Sequence, residues 1–101
     1  MAAITVPNAA PEGVTTTAIV TSDTAVKAAP GKVYWISASA AATGGAWQIN
    51  DSTDDSGTDK ISAVQPALST TPILFDPPLE CTVGIFADIP GSNITLTIGY
   101  A

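Results

Sequence analysis

The residues best suited to chemistry are the aspartates of one short stretch, DSTDDSGTD at residues 51–59, which holds four of the nine acidic residues of the chain. Asp51, Asp55 and Asp59 belong to an alternating series that also includes Thr53 and Gly57, a spacing like that of a calcium-binding loop. Carboxylates can also act in pairs, as the acid and base of a glycosidase do. Asp51, Asp55 and Asp59 are therefore the candidate metal ligands of the chain.

The match to a calcium-binding loop fails at several required positions. Thr53 replaces an acid, Ser56 stands where the sharp-turn glycine belongs, and Ser62 stands where a bidentate glutamate would close the coordination shell. No flanking helices are indicated. Asp and Ser side chains bond to nearby backbone N–H groups, and Gly57 can supply a positive φ, so the stretch favours a structural turn. We therefore expect no metal and no cofactor.

The rest of the composition excludes most other catalytic and metal-binding sites. The chain has no histidine and no arginine, three lysines and one cysteine, Cys81. Without histidine, neither a Ser-His-Asp nor a Cys-His catalytic group can form, and one cysteine cannot build a structural zinc site. No glycine-rich phosphate-binding motif is present. We expect a protein that is not an enzyme, with no catalytic residues and with Cys81 as a buried, inert thiol.

The charge balance limits the partners. The formal net charge is −6, and only 12% of residues are charged. Contacts to nucleic-acid phosphates or to an anionic membrane surface need lysine and arginine, so neither partner is expected. No apolar run reaches the roughly 18 residues of a membrane-spanning helix, and residues 1–20 lack the segments of a signal peptide. We expect a soluble protein made in the cytoplasm.

The elements expected around the acidic stretch are β-strands. Trp47 and Ile49 share one face before it, with the period of a strand, and residues 61–64 predict a short strand after it. The stretch is therefore the expected tip of a hairpin. The apolar run at residues 33–36 predicts another strand, which follows a type II turn in APGK at residues 29–32, with glycine at the third position.

The C-terminal part of the chain predicts further strands. Residues 65–78 contain four prolines, which indicates loops with one short edge strand at residues 73–75. Apolar residues alternate from Val83 to Ile89 and again from Ile94 to Tyr100. The turn sequence PGSN at residues 90–93 separates the two runs, which predicts a hairpin with one apolar face.

These segments together predict the fold class. With a β-rich stretch at residues 14–21, the chain has about seven or eight short strands and no convincing helical period. We expect an all-β, single-domain antiparallel β-sandwich or jelly-roll-like barrel over residues 14–101. Residues 1–13, MAAITVPNAAPEG, contain two prolines and few core-sized groups, so we expect an extended N-terminal arm.

The order PGKVYWISASAAATGGAWQINDSTDDSGTDKI resembles a module of small structural proteins of tailed bacteriophages, in which a strand, a glycine-rich break, a second strand, an acidic turn and a third strand follow a Pro-Gly turn. The closing GIFADIPGSNITLTIGY is similar to the last hairpin of that module. The resemblance covers residues 29–100. It implies a virion structural protein, a homotrimeric head decoration (cement) protein that binds the major capsid protein and covers seams on the capsid surface. The arm at residues 1–13 lies outside the resemblance and would contact the capsid or a neighbouring subunit.

Two alternatives stay open. The same resemblance also fits a tail-fibre or appendage module of a phage. A protein of another class, a carbohydrate-binding β-sandwich assisted by calcium, would use the aspartates as metal ligands and Trp47 as a stacking surface for a sugar.

Overall fold

The computed structural model describes residues 16–101, which form two antiparallel sheets of four strands each. The predicted all-β sandwich is therefore confirmed, whereas the predicted arm at residues 1–13 lies outside the described residues. The strands are β1 (Thr16–Val20), β2 (Thr24–Lys27), β3 (Gly31–Ala40), β4 (Gly45–Asp51), β5 (Thr58–Gln65), β6 (Thr70–Cys81), β7 (Ile85–Asp88) and β8 (Ile94–Tyr100).

The strand pairs are nested one inside another. β1 pairs with β8, β2 with β7, β3 with β6 and β4 with β5. Two further pairings, β3 with β8 and β4 with β7, fold this ladder into a first sheet ordered β1-β8-β3-β6 and a second ordered β2-β7-β4-β5. This double wrapping of eight strands is the jelly-roll arrangement.

The core lies between the two sheets and is built from the inward faces that the alternation predicts. Trp47 and Ile49 are fully buried, and Cys81 is also buried. Ile94, Leu96 and Ile98 face the core from β8, while Tyr100 packs against it partly buried. Burial of this kind contributes about 25 cal/mol for each Å² of apolar surface removed from water.

A β-bulge in β3 decides which of its apolar residues face inward. Val33 and Ile36 are both buried although they are three positions apart. The register shifts between Val33 and Trp35 against both neighbouring strands, so an extra residue there restores the inward direction at Ile36. Trp35 consequently points outward and lies over Gly99 of β8, where any Cβ would overlap the indole ring.

The predicted C-terminal hairpin is wrong. β7 pairs with β2 and β4, whereas β8 pairs with β1 and β3, so residues 90–93 connect the two sheets instead of joining paired strands. Both strands are apolar on one face because those faces meet across the core. Alternation identifies the inward face of a strand but not its hydrogen-bonded neighbour. Val83 precedes β7 and is 52% exposed, so it is not part of the predicted apolar face.

The proline-rich segment and the first predicted turn also differ from expectation. β6 is one strand of 12 residues, not loops around a short strand, although it lies at a sheet edge as predicted. An edge strand tolerates proline because one side of it has no partner. Gly31 begins β3 with a φ outside the left-handed region, which excludes the predicted type II turn. Glycine is needed there because a Cβ would come within 2.5 Å of the Ala101 carbonyl oxygen.

Candidate functional site

The acidic turn, residues 52–57, joins β4 to β5 as predicted. The Asp54 carboxylate accepts hydrogen bonds from the Ser56 hydroxyl (2.6 Å), the Ser56 backbone N–H (2.9 Å) and the Ser52 hydroxyl (3.2 Å). These bonds, those from Ser56 first, hold the pKa of Asp54 below its usual value. Gly57 does not supply a positive φ, contrary to expectation; a Cβ there would overlap the Ser52 side chain. The turn satisfies its own polar groups.

Asp51, the first candidate metal ligand, binds backbone. Its carboxylate accepts hydrogen bonds from the backbone N–H groups of Val83 (2.7 Å), Thr82 (2.9 Å) and Gly84 (3.3 Å), and from the Thr82 hydroxyl (3.0 Å). The bond from the Thr82 N–H, followed by that from Val83, lowers the pKa of Asp51 to about 2. Asp51 therefore ties the end of β4 to the loop before β7. Its partners lie more than 30 residues away in the chain, so no local pattern could identify them.

Asp55 and Asp59, the other two candidate ligands, act electrostatically on another acidic side chain, Asp88. The pKa of Asp88 is raised, first by burial, then by the charge of Asp23 and a hydrogen bond with it, and further by Asp55 and Asp59. Asp23 also accepts a hydrogen bond from the Ile89 N–H (2.8 Å), which joins the β1–β2 loop to the end of β7. Sequence reasoning missed Asp23 and Asp88 because only the folded chain brings them together; Asp88 lies opposite Gln48 of β4.

These carboxylates do not form a coordination shell. Among residues 16–101, no group of three or more His, Cys, Asp or Glu side chains is placed to hold a metal ion. Trp47, the proposed sugar-stacking residue, is fully buried in the core with its indole N–H unpaired, which rules out that role. Burial, with a smaller effect from Asp51, raises the pKa of the Cys81 thiol to about 11, so it stays protonated and unreactive at neutral pH.

The loop that follows β5 differs in character. Leu68 has a φ of 55°, in the left-handed region that favours glycine, and its side chain is 80% exposed. This conformation costs a leucine roughly 1–2 kcal/mol. Neighbouring Val64 is 78% exposed. A bulky residue in this backbone conformation is an outlier with no contribution to the core, and such outliers concentrate at functional sites.

Hydrogen bonds hold this 66–69 loop in place. The Leu68 N–H donates to the Ala41 carbonyl oxygen (2.9 Å), and the Ser69 hydroxyl donates to the Pro66 carbonyl oxygen (2.6 Å). The Gln65 side-chain amide donates to the hydroxyls of Ser69 (2.8 Å) and Thr71 (3.0 Å). Several hydrogen bonds therefore fix the backbone of the loop that bears the exposed Leu68.

The outer face of the first sheet is uncharged across its middle, with the exposed residues Lys32 and Glu80 at one end. Ile19 of β1 is 71% exposed and Leu74 of β6 is 81% exposed, at opposite edges of this face. The register aligns two rows across the four strands, and neither contains a charged residue: Thr17, Gly99, Trp35 and Leu74 in one, and Ile19, Thr97, Ser37 and Pro72 in the other.

A cavity of about 370 Å³ opens beside this face. It exists because the β3–β6 register is interrupted: Trp35 pairs with Leu74 and Val33 with Leu79, so residues 75–78 face the single residue Tyr34. We call this cavity the aromatic pocket. Its lining residues are Tyr34, Leu74, Phe75, Asp76 and Pro78.

Two further findings concern the whole chain. Within residues 16–101, no helix is long and apolar enough to cross a membrane. Comparisons of the chain with protein-family models, with curated proteins and with solved structures found no match.

Proposed function

We propose that this chain is a virion structural protein of a tailed bacteriophage, a homotrimeric head decoration protein. It binds the major capsid protein on the capsid surface and stabilises the seams between capsid subunits, after synthesis in the host cytoplasm. The observation that carries the proposal is the uncharged middle of the outer face of the first sheet, with Ile19 and Leu74 exposed at its edges.

That face contrasts with the charge of the chain. The chain has nine acidic residues and a net charge of −6, yet the two rows of residues that cross this sheet contain no charged residue. We interpret this uncharged surface, with Ile19 and Leu74 exposed at its edges, as a surface for contact with other proteins. A decoration protein requires such surfaces on both its subunit contacts and its capsid contacts.

The fold and the site chemistry support the same class. Eight-stranded jelly rolls occur in viral capsid proteins and in lectins, although a fold alone does not assign a function. The carboxylates of Asp51 and Asp54 bind neighbouring backbone and hydroxyl groups, which is a structural use. The carbohydrate-binding alternative loses its aromatic platform because Trp47 is buried.

The test has two steps. Sedimentation equilibrium of the purified chain at micromolar concentration should give three chain masses. The trimer should then co-sediment, in a saturable manner, with phage heads assembled without this chain, and should raise the temperature at which those heads release DNA. A monomer, or a trimer that labels tails and leaves heads bare in immunogold images, would contradict the proposal.

A further inference from the structure

We infer that Leu68 of each subunit inserts into the aromatic pocket of the next subunit, so that the subunits contact one another head to tail in a closed ring. The inference rests on the proposed homotrimer and names the contact that holds it together. It assigns a role to two features that the fold of a single chain does not use.

The first feature is the strained, exposed leucine. Leu68 keeps a left-handed φ of 55° while its side chain remains 80% exposed, so the chain bears the strain without gaining burial. A glycine or asparagine would adopt that conformation at lower cost. The bonds from the Leu68 N–H to Ala41 and from Gln65 to Ser69 fix the loop before any partner arrives. Such preorganisation reduces the entropy lost on binding.

The second feature is a receptor of suitable size and chemistry. The aromatic pocket measures about 370 Å³, with walls from Tyr34, Phe75 and Pro78. A cavity of about 150 Å³ already accommodates benzene, so a leucine side chain fits. Leu74, 81% exposed, forms part of the rim. Buried apolar anchors in pockets of this kind carry most of the binding energy of an interface.

A subunit's Leu68 cannot reach the pocket of the same subunit. Leu68 precedes the start of β6 at Thr70, and Phe75 lies within that strand. The five residues of strand from Thr70 to Phe75 alone span roughly 17 Å, at about 3.3 Å per residue. A leucine side chain is far shorter than this distance, so the pocket that takes Leu68 belongs to a second copy.

Charge favours this contact over others between identical chains. The pocket lining includes one acidic residue, Asp76, whereas residues 61–75, which include Leu68, contain no charged residue. Insertion of the uncharged 66–69 loop therefore places no second acidic residue against Asp76, although each subunit has a net charge of −6. The acidic turn, in contrast, would bring aspartates together.

The symmetry of the assembly is set by the proposed homotrimer. A protrusion and a pocket on one chain can pair reciprocally in a two-fold dimer, or head to tail in a ring when the rotation closes. In a ring of three subunits every Leu68 is inserted and every pocket is filled.

The test removes each side of the contact separately. Leu68→Asn keeps a residue that tolerates the left-handed region and removes the apolar group, while Leu74→Glu places a charge on the pocket rim at an exposed position. Each variant should weaken association at least tenfold in sedimentation equilibrium. Val83→Ser, which removes an exposed apolar side chain outside both surfaces, is the matched control and should associate as the wild type does. Far-UV circular dichroism establishes that each variant is folded, and Leu68→Gly is the second variant at that site.

Mixing the two variants tests whether Leu68 and the pocket are partners of each other. The Leu68→Asn chain retains an intact pocket, and the Leu74→Glu chain retains an intact Leu68. One contact can form between them but the ring cannot close, so an equimolar mixture should yield 1:1 heterodimers. An interface that does not pair Leu68 with the pocket would give no such rescue. The mass of the wild-type assembly separates the two symmetries, since three chains indicate the ring and two chains a reciprocal dimer.

The outcomes distinguish this inference from the proposed function. If both single variants form trimers with the affinity of the wild type, the Leu68 contact is wrong, but the proposed decoration function is unaffected. Absence of heterodimers in the mixture would exclude the pairing of Leu68 with the pocket, and a wild-type assembly of two chains would exclude the ring. A wild-type chain that is monomeric would overturn both proposals, whereas a trimer that requires Leu68 but ignores phage heads would overturn only the decoration function.

Discussion

The two loops at the ends of β5 differ in almost every physical respect. The acidic turn, residues 52–57, precedes the strand and directs its polar side chains at its own backbone and hydroxyl groups. The 66–69 loop follows the strand, contains no charged residue and leaves Leu68 exposed in a strained conformation. Both loops are anchored by hydrogen bonds, but only the second presents an apolar group that nothing in the described chain covers.

The difference teaches where to look for function in a chain of this kind. Asp51 and Asp54 serve the fold, because carboxylates that accept four and three hydrogen bonds have little capacity left for a ligand. The 66–69 loop, in contrast, leaves the apolar side chain of Leu68 exposed to water. Function is better sought in unsatisfied apolar surface than in dense charge.

The largest expected effect tests the core that supports both loops. Leu96 is fully buried on β8, so Leu96→Ala should reduce the free energy of unfolding by about 2–5 kcal/mol. Thr97, its neighbour on the outer face, is the matched control, and Thr97→Ala should cost far less. Urea unfolding followed by tryptophan fluorescence measures both. Equal and small losses would show that the inward face of β8 is assigned incorrectly.

The next effect tests whether the aspartates are structural. Asp51→Asn removes the charge that receives N–H groups from Thr82, Val83 and Gly84, and we expect a loss of about 1–2 kcal/mol, since charged hydrogen bonds at a solvated site are partly screened. The same urea titration reports it. Asp55→Asn is the control and should leave the free energy of unfolding nearly unchanged. Equal losses in the two variants would contradict the distinction between hydrogen-bonded and solvated aspartates.

The pH dependence of stability sharpens the same point. The pKa of Asp51 falls from 3.8 to about 2 on folding, so its ionised form stabilises the fold above about pH 4 and that stabilisation is lost as pH falls toward 2. The gap in stability between the wild type and Asp51→Asn should therefore narrow over that window. The raised pKa of Asp88 acts in the opposite direction, since its protonation on acidification removes a disfavoured charge. A gap that stays constant from pH 5 to 2 would contradict the assigned cause.

A smaller effect tests the strain in the 66–69 loop. In the Leu74→Glu chain, at a concentration low enough to keep it monomeric, adding Leu68→Asn should raise the free energy of unfolding by about 0.5–1 kcal/mol, because asparagine tolerates the left-handed region better. Thermal unfolding of the two chains at equal concentration gives the difference. A loss of stability would mean that the leucine side chain supports the monomer.

The smallest effect concerns metal at the acidic turn. Calcium or EDTA should leave the melting temperature unchanged, because Asp51 and Asp54 are engaged within the protein. A saturable site at 100 times its dissociation constant would instead add about 2.7 kcal/mol. A fall of several degrees on chelation would restore Asp55 and Asp59 as ligands.

Much of the architecture was predictable because alternation reports burial directly. Trp47, Ile49 and Leu96 are inward-facing as their spacing indicates. The pairing of β7 and β8 was not predictable, since an inward face carries no information about which strand lies beside it. The bulge at Tyr34, the left-handed Leu68 and the partners of Asp51 depend on contacts distant in sequence. The aromatic pocket, which the bulge creates, was hidden for the same reason.

The pairing of β1 with β8 has a consequence for how the chain reaches its native state. Thr16 lies opposite Tyr100, so the first sheet joins residues from both extremes of the described chain. During synthesis, β1 must remain without this partner until Ile94–Tyr100 has left the ribosome. Long-range pairings of this kind slow folding, because chain closure costs entropy before any contact repays it. We therefore expect the complete sandwich to fold only after β8 has been translated. Until then its unpaired strand edges can aggregate, and fast synthesis and chaperones limit that aggregation.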